Sequence, residues 1–163
     1  FFSSNAKMPP KSKAKAEPVP QAAAPAPAPA EPMEGEGEFI FADGSVYNGK
    51  WARDAKTGII RRQGRGVLSH PAVGYKYVGE WQEDQIHGYG EFTYSSGARY
   101  AGQWKGGKYN GFGKYVFPDG SSYEGSWTDN QMHGTGMYVD TKGVSWKGQF
   151  YNGTGPGLNA LVV

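Results

Sequence analysis

The chain has 163 residues, enough for one ordinary domain, and a formal net charge of +2, too slight an excess to argue for a nucleic-acid partner. It has no cysteine, which excludes a disulfide framework and a cysteine-ligated zinc site and fits a reducing, cytoplasmic setting. No apolar run approaches the roughly 20 residues that span a bilayer as a helix, and with only three leucines against 15% aromatic residues, rings must supply most of the apolar area.

Composition divides the chain at residue 34. Eight of the 11 prolines and none of the 26 glycines lie before Gly35. Residues 1–7 precede Met8 and are expected to be either an upstream reading artefact or the stub of a longer chain; they show neither a signal peptide nor an Arg-rich presequence. The stretch PVPQAAAPAPAPAEP, from Pro18 to Pro32, favours extended polyproline II and builds no core. With the cluster Lys11, Lys13 and Lys15, residues 1–34 are expected to form an extended arm, either a solvated linker or a segment lying along a partner.

Residues 35–163 are a tandem array of two alternating motifs. In chain order they read GEGEFIF from Gly35, YNGKW from Tyr47, GRGVL from Gly64, YVGEW from Tyr77, GYGEFTY from Gly88 and YAGQW from Tyr100. GFGKYVF from Gly111, YEGSW from Tyr123, GTGMYV from Gly134, WKGQF from Trp146 and a degenerate GPGLNALVV from Gly155 follow. Tyr77, Tyr100, Tyr123 and Trp146 are spaced 23 residues apart. Both motifs have period two, so both predict strands. Tyr123, Gly125 and Trp127 fall on one face of their strand and Glu124 and Ser126 on the other. Asp43-Gly44, Ser96-Gly97 and Asp119-Gly120 are hairpin signals. The expected fold is all-β: a single elongated, twisted antiparallel meander of about ten short strands, roughly 50 Å long. Glycine on the aromatic face lets a neighbouring ring lie across the backbone, and Trp81, Trp104 and Trp127 are expected to stack there.

The repeat YVGEWQEDQIHGYG, with its successors YAGQWKGGKYNGFG and YEGSWTDNQMHGTG, resembles the MORN (membrane occupation and recognition nexus) family, whose unit is about 23 residues with Y-x-G-x-W and a later H-G-x-G. The resemblance covers about four-fifths of the chain; from Gly88 onward it is similar to small members of the family. It departs from the pattern in the long connector ARDAKTGIIRRQ between Trp51 and Gly64, expected to protrude as a loop, and in the last repeat, where Trp146 and Phe150 take the aromatic places and suggest a cap. The resemblance implies scaffolding at cell junctions, in axonemes and at membranes, with a partner's helix or extended segment in an aromatic groove.

A single sheet with one aromatic face needs something to cover it. The expected groove comprises Tyr47, Trp51, Tyr77, Trp81, Tyr100, Trp104, Tyr123, Trp127, Trp146 and Phe150, although the same rings can serve only to pack on one another. A second candidate is the basic loop of Arg53, Lys56, Arg61, Arg62 and Arg65, either solvated or a contact for acidic protein or anionic lipid. The open sheet edges allow a homodimer or strand addition.

Catalysis, a metal and a cofactor are not expected. His87 and His133 recur at one repeat phase, 46 residues apart, which strand spacing converts to roughly 20 Å, too far for one zinc. Ser69-His70 lacks an orienting third group, and the G-x-G motifs precede strands rather than helices, so they cradle no phosphate. The leading expectation is a non-enzymatic adaptor in a cytoskeletal assembly, with the axonemal radial spoke as the setting the resemblance suggests; the alternative is a peripheral membrane tether.

Overall fold

The structure is a computed structural model that describes residues 33–161. The arm expected over residues 1–34 lies almost wholly outside them. The described residues belong to one compact unit and form an eleven-stranded antiparallel sheet in strict chain order. Its strands are β1 (Glu34–Ile40), β2 (Val46–Arg53), β3 (Ile60–His70), β4 (Tyr75–Gln82), β5 (Gln85–Thr93) and β6 (Arg99–Lys105). β7 (Lys108–Val116), β8 (Ser122–Thr128), β9 (Gln131–Val139), β10 (Ser145–Phe150) and β11 (Asn159–Leu161) complete it. Every strand pairs only with its neighbours in sequence, so the sheet is an open meander, as its repeat pattern predicts.

Two kinds of turn join the strands. Gly44, Gly97 and Gly120 adopt the expected left-handed conformation, with φ of 87°, 88° and 89°. Asp43 and Asp119 cap these turns by accepting from the backbone and hydroxyl of Ser45 and Ser121, which hold both carboxyls below the usual range. At the opposite side of the sheet the turns are two-residue hairpins with positive φ at both central positions. These are Glu83-Asp84 (48°, 66°), Gly106-Gly107 (55°, 75°), Asp129-Asn130 (47°, 69°) and Asn152-Gly153 (48°, 84°). Each such turn reaches back to the preceding hairpin: the amides of Asp84, Gly107, Asn130 and Gly153 donate to the carbonyls of Arg62, Ile86, Tyr109 and Met132.

The connector after Trp51 is a longer hairpin with a wide, largely exposed turn. β2 runs on to Arg53 and β3 starts at Ile60, with Ala52 opposite Arg61 and Trp51 opposite Arg62. Only Asp54–Ile59 turns, held by the Asp54 carboxylate accepting from the amides of Lys56 and Thr57. Compared with the connector between Trp81 and Gly88, the extra residues add one strand pair, Arg53 with Ile60, and widen the turn from two residues to six.

The glycines meet in pairs across the sheet, Gly49 with Gly66, Gly79 with Gly90, Gly102 with Gly113 and Gly125 with Gly136. Immediately after each pair the register shifts by a bulge in the Y-x-G-x-W strand. A bulge adds local twist and re-aims the next side chain; here that side chain is the tryptophan.

Candidate functional site

The aromatic face has an inner and an outer layer. The inner layer is a continuous zigzag of tyrosine and tryptophan. Tyr47, Tyr77, Tyr100 and Tyr123 have 0% exposure, and Trp81, Trp104 and Trp127 are nearly as buried. Along the sheet, Tyr47 meets Trp81, Trp81 meets Tyr77, Tyr77 meets Trp104, Trp104 meets Tyr100, Tyr100 meets Trp127 and Trp127 meets Tyr123. The ring centroids are 5.0–5.6 Å apart at interplanar angles of 82–89°. Edge-to-face contacts of this kind stabilise by about 0.5–1.5 kcal/mol each beyond the area they bury.

The rings that cover the glycines are the tyrosines, which corrects the expectation for the tryptophans. A Cβ built on Gly66, Gly90, Gly113 or Gly136 would fall within 2.3–2.4 Å of the ring or hydroxyl of Tyr47, Tyr77, Tyr100 or Tyr123. Each tyrosine hydroxyl then donates to the carbonyl three residues on, at Lys50, Glu80, Gln103 and Ser126. The tryptophans stand on edge instead. The indole N–H of Trp81, Trp104 and Trp127 donates to the carbonyl of Gly66, Gly90 and Gly113 in the preceding strand. A buried Trp or Tyr needs such a partner, and here all seven of these rings have one within the chain itself. Only Trp51, on the outer side of β2, lies over a glycine, Gly35.

The inner rings therefore frame the expected groove, and the four tyrosines leave no surface for a ligand. What a ligand could touch is the outer layer of half-buried side chains packed against them. Phe39, Leu68, Phe92, Tyr115 and Tyr138 form one row, with Tyr94 and Phe117 beyond it; Ile86 and Met132 flank the other side. Between them lies a cleft of about 500 Å³ lined by Tyr94, Tyr109, Tyr115, Phe117, Trp127, Asn130 and Met132. A smaller one of about 340 Å³ is lined by Phe39, Phe41, Tyr47, Trp51, Ile60, Arg62 and Asp84. Tyr109, which motif reading passed over, sits at the centre. It stacks on Tyr100 at 3.9 Å and 19° and shares a hydroxyl–hydroxyl hydrogen bond with Tyr94. At the end of the array, Phe150 is buried against Tyr123, whereas Trp146 is half-exposed and donates its indole N–H to Asp140.

Burial raises the phenol pKa values across this face. Tyr47 is pushed up to about 12, and Tyr77 and Tyr100 are raised by the same loss of solvation. Tyr109 is raised first by burial and then by its hydrogen bond to Tyr94. The unfolded chain ionises near pH 10, so these tyrosines contribute stability that is whole below pH 10 and falls as pH rises through the interval to the folded values. Absorbance at 295 nm should show exposed tyrosines titrating first, and the rest ionising together with loss of the near-ultraviolet dichroism. Smooth ionisation of every tyrosine near pH 10, with the fold kept, would contradict the buried ladder.

The five cations of the expected basic loop are not gathered. Arg61 pairs with Glu83 and Arg62 with Asp84. The Arg62 guanidinium also lies 4.2 Å above the Trp81 ring, which makes it a brace of the first repeat junction. Arg53 donates to the Gly58 carbonyl. Arg65 lies on the other face of the sheet, beside Lys76, Val78, Tyr89, Glu91 and Arg99. Lys56 remains on the turn itself. His133 packs edge-on against Tyr151, and His87 lies opposite Glu80.

The family comparison agrees with this architecture. The MORN repeat family profile matches residues 32–46, 77–99, 100–122 and 123–145, just over half of the chain. No curated protein matches it. Among solved structures, the chain is similar to the SAS-4 (dCPAP) TCP domain in complex with a proline-rich motif of Ana2 (dSTIL) of Drosophila melanogaster. That likeness is 15% identity over 85% of this chain and 96% of that one, with a TM-score of 0.29, too slight to transfer a fold or a partner. On its repeats and their sheet, the chain belongs to the MORN repeat family, whose repeats mediate protein or lipid interactions.

Proposed function

We propose that the chain is a non-enzymatic adaptor that receives an extended or helical segment of a partner protein on its aromatic face, as a subunit of a cytoskeletal, axonemal assembly of the radial-spoke kind. The observation that carries the reading of the face is its outer layer. Half-exposed rings run along the sheet over a floor whose own polar atoms are already satisfied, and among the described residues no second layer covers them. Such a surface offers apolar area and ring edges without a demand for buried polar partners, and aromatic residues of this kind dominate interface energetics. The dispersal of Arg61, Arg62 and Arg65 favours this reading over lipid tethering, because two of the three are neutralised by Glu83 and Asp84. The cytoskeletal setting rests on family resemblance alone.

Photo-crosslinking in native extract tests it. A photoreactive phenylalanine at position 117 should yield adducts to one recurrent protein, and the same group at 112, exposed on the opposite face, should not. Phe117→Asp should abolish the adducts of a probe at 115 while the melting temperature stays within a few degrees. Sedimentation with anionic liposomes and no protein adduct at 117 would replace the adaptor with a membrane tether.

A further inference from the structure

The two ends of the sheet are unfinished in complementary ways. In the interior, the second glycine of each G-x-G strand is covered by the tyrosine of the preceding Y-x-G-x-W strand. β1 is a G-x-G strand with no preceding strand among the described residues, and a Cβ built on its Gly37 would meet nothing nearer than 3.7 Å. Residues 1–34 contain no Gly, Tyr or Trp, and so no Y-x-G-x-W motif. Gly35, whose counterparts Gly64, Gly88, Gly111 and Gly134 adopt positive φ opposite a bulge, does not do so.

β10 shows the converse. It is a Y-x-G-x-W strand, with Trp146 in the tyrosine place, and it should be followed by a full G-x-G strand. Its neighbour β11 is three exposed residues that reach only Ser145, Trp146 and Lys147. A Cβ on Gly49, Gly79, Gly102 or Gly125 would fall within 2.4–2.6 Å of the next strand's glycine Cα, but one on Gly148 faces no glycine Cα; its nearest neighbours are the Leu158 side chain at 2.9 Å, the Leu158 Cα at 3.5 Å and the Gly157 carbonyl oxygen at 3.7 Å. Trp146, lacking a glycine to cover, is left half-exposed where the tyrosines are buried.

We propose that β1 of a second copy of this chain adds to β10 in place of β11, joining copies head to tail into an open, filament-forming array. The interior register, which sets each Y-x-G-x-W glycine opposite the second glycine of the next strand, carries over unchanged. Gly148 then faces Gly37 of the second copy, the Trp146 ring lies over that glycine, and Lys147 stands directly opposite Glu38. Both of these charged side chains are exposed, and in the interior Lys114 and Glu124 form an ion pair at the matching strand positions, there across the β7–β8 pair, in which the G-x-G strand comes first. Charge also selects against the obvious rival. Antiparallel pairing of two β1 strands about Gly37 would set Glu36 against Glu38 on both sides, and like charges directly opposite are unfavourable. Because the two joined surfaces differ, the contact does not close on itself and continues from copy to copy.

Sedimentation velocity on the full chain, from micromolar to millimolar concentration, tests the proposal. The sedimentation coefficient should rise with concentration past the dimer without a plateau. Glu38→Lys alone and Lys147→Glu alone each place like charges at the junction and should raise the concentration needed for association on the order of tenfold. An equimolar mixture of the two variants restores opposite charges at every mixed junction and should associate as the unaltered chain does. That recovery also rules out misfolding of either variant as the cause of its loss. A chain monomeric throughout, a closed dimer that stops growing, or association indifferent to both substitutions would overturn the head-to-tail junction. None of these outcomes bears on partner capture at position 117, so the two readings stand or fall separately.

Discussion

Gly102→Ala should destabilise the sheet by about 3 kcal/mol, the upper range for forcing a methyl into a packed interior. A Cβ at Gly102 would lie 2.4 Å from the Gly113 Cα and 2.7 Å from the Phe112 carbonyl oxygen, and both of those are backbone atoms. A side chain could swing aside, but here the two strands must part, and β6 and β7 are central to the array. In a domain of this size the loss corresponds to a fall in melting temperature of roughly 10 °C. Gly107→Asn is the matched control. Nothing lies within 4 Å of its built Cβ, and asparagine tolerates the positive φ of 75° found there. Scanning calorimetry should show the first variant melting far below the second; equal melting temperatures would mean that the paired glycines are not in close contact.

Tyr100→Ala should cost about 4 kcal/mol, the usual range for removing a buried aromatic side chain. Tyr100 has no exposed surface and touches Trp104, Trp127 and Tyr109, so its removal opens a cavity against three rings at once and uncovers Gly113. Tyr100→Phe keeps the ring and loses only the 2.9 Å hydrogen bond to the Gln103 carbonyl, a loss of about 1 kcal/mol. Urea titration followed by tryptophan emission separates the two. If alanine proved no worse than phenylalanine, the tyrosines would be hydrogen-bonding posts at the bulges rather than the packed floor of the face.

The meander and the common face of the aromatic rings were legible because both motifs alternate with period two and recur at 23 residues. The Asp43-Gly44 and Asp119-Gly120 turns were legible from their glycines. The turns at Glu83-Asp84 and Asp129-Asn130 were not, since neither contains glycine although all four residues have positive φ. Which ring covers the glycines could not be read either. Tyr100 and Trp104 lie on one face by alternation, and it is the bulge between Gly102 and Trp104 that turns the indole on edge and leaves the glycines to the tyrosine. The same gap hid which rings of the groove are buried and which are exposed. Burial of Tyr77 depends on Trp81 and Trp104 from two different strands, and a motif read one strand at a time carries no such information. Tyr109 escaped notice because its counterparts in the other repeats are Ile86 and Met132, which left no repeating aromatic to see.

The strict order of the strands has a mechanical consequence. Because each strand bonds only to its neighbours in sequence, a load applied between β1 and β11 pulls across the sheet, along the direction of its hydrogen bonds. Such a load opens the hairpins one at a time instead of shearing many bonds together. The amide that each two-residue turn donates to the hairpin before it adds a catch at every step. Under tension the array should pay out length in nearly equal increments, one for each 23-residue repeat, and take it back in reverse order when released, as an extensible strap does.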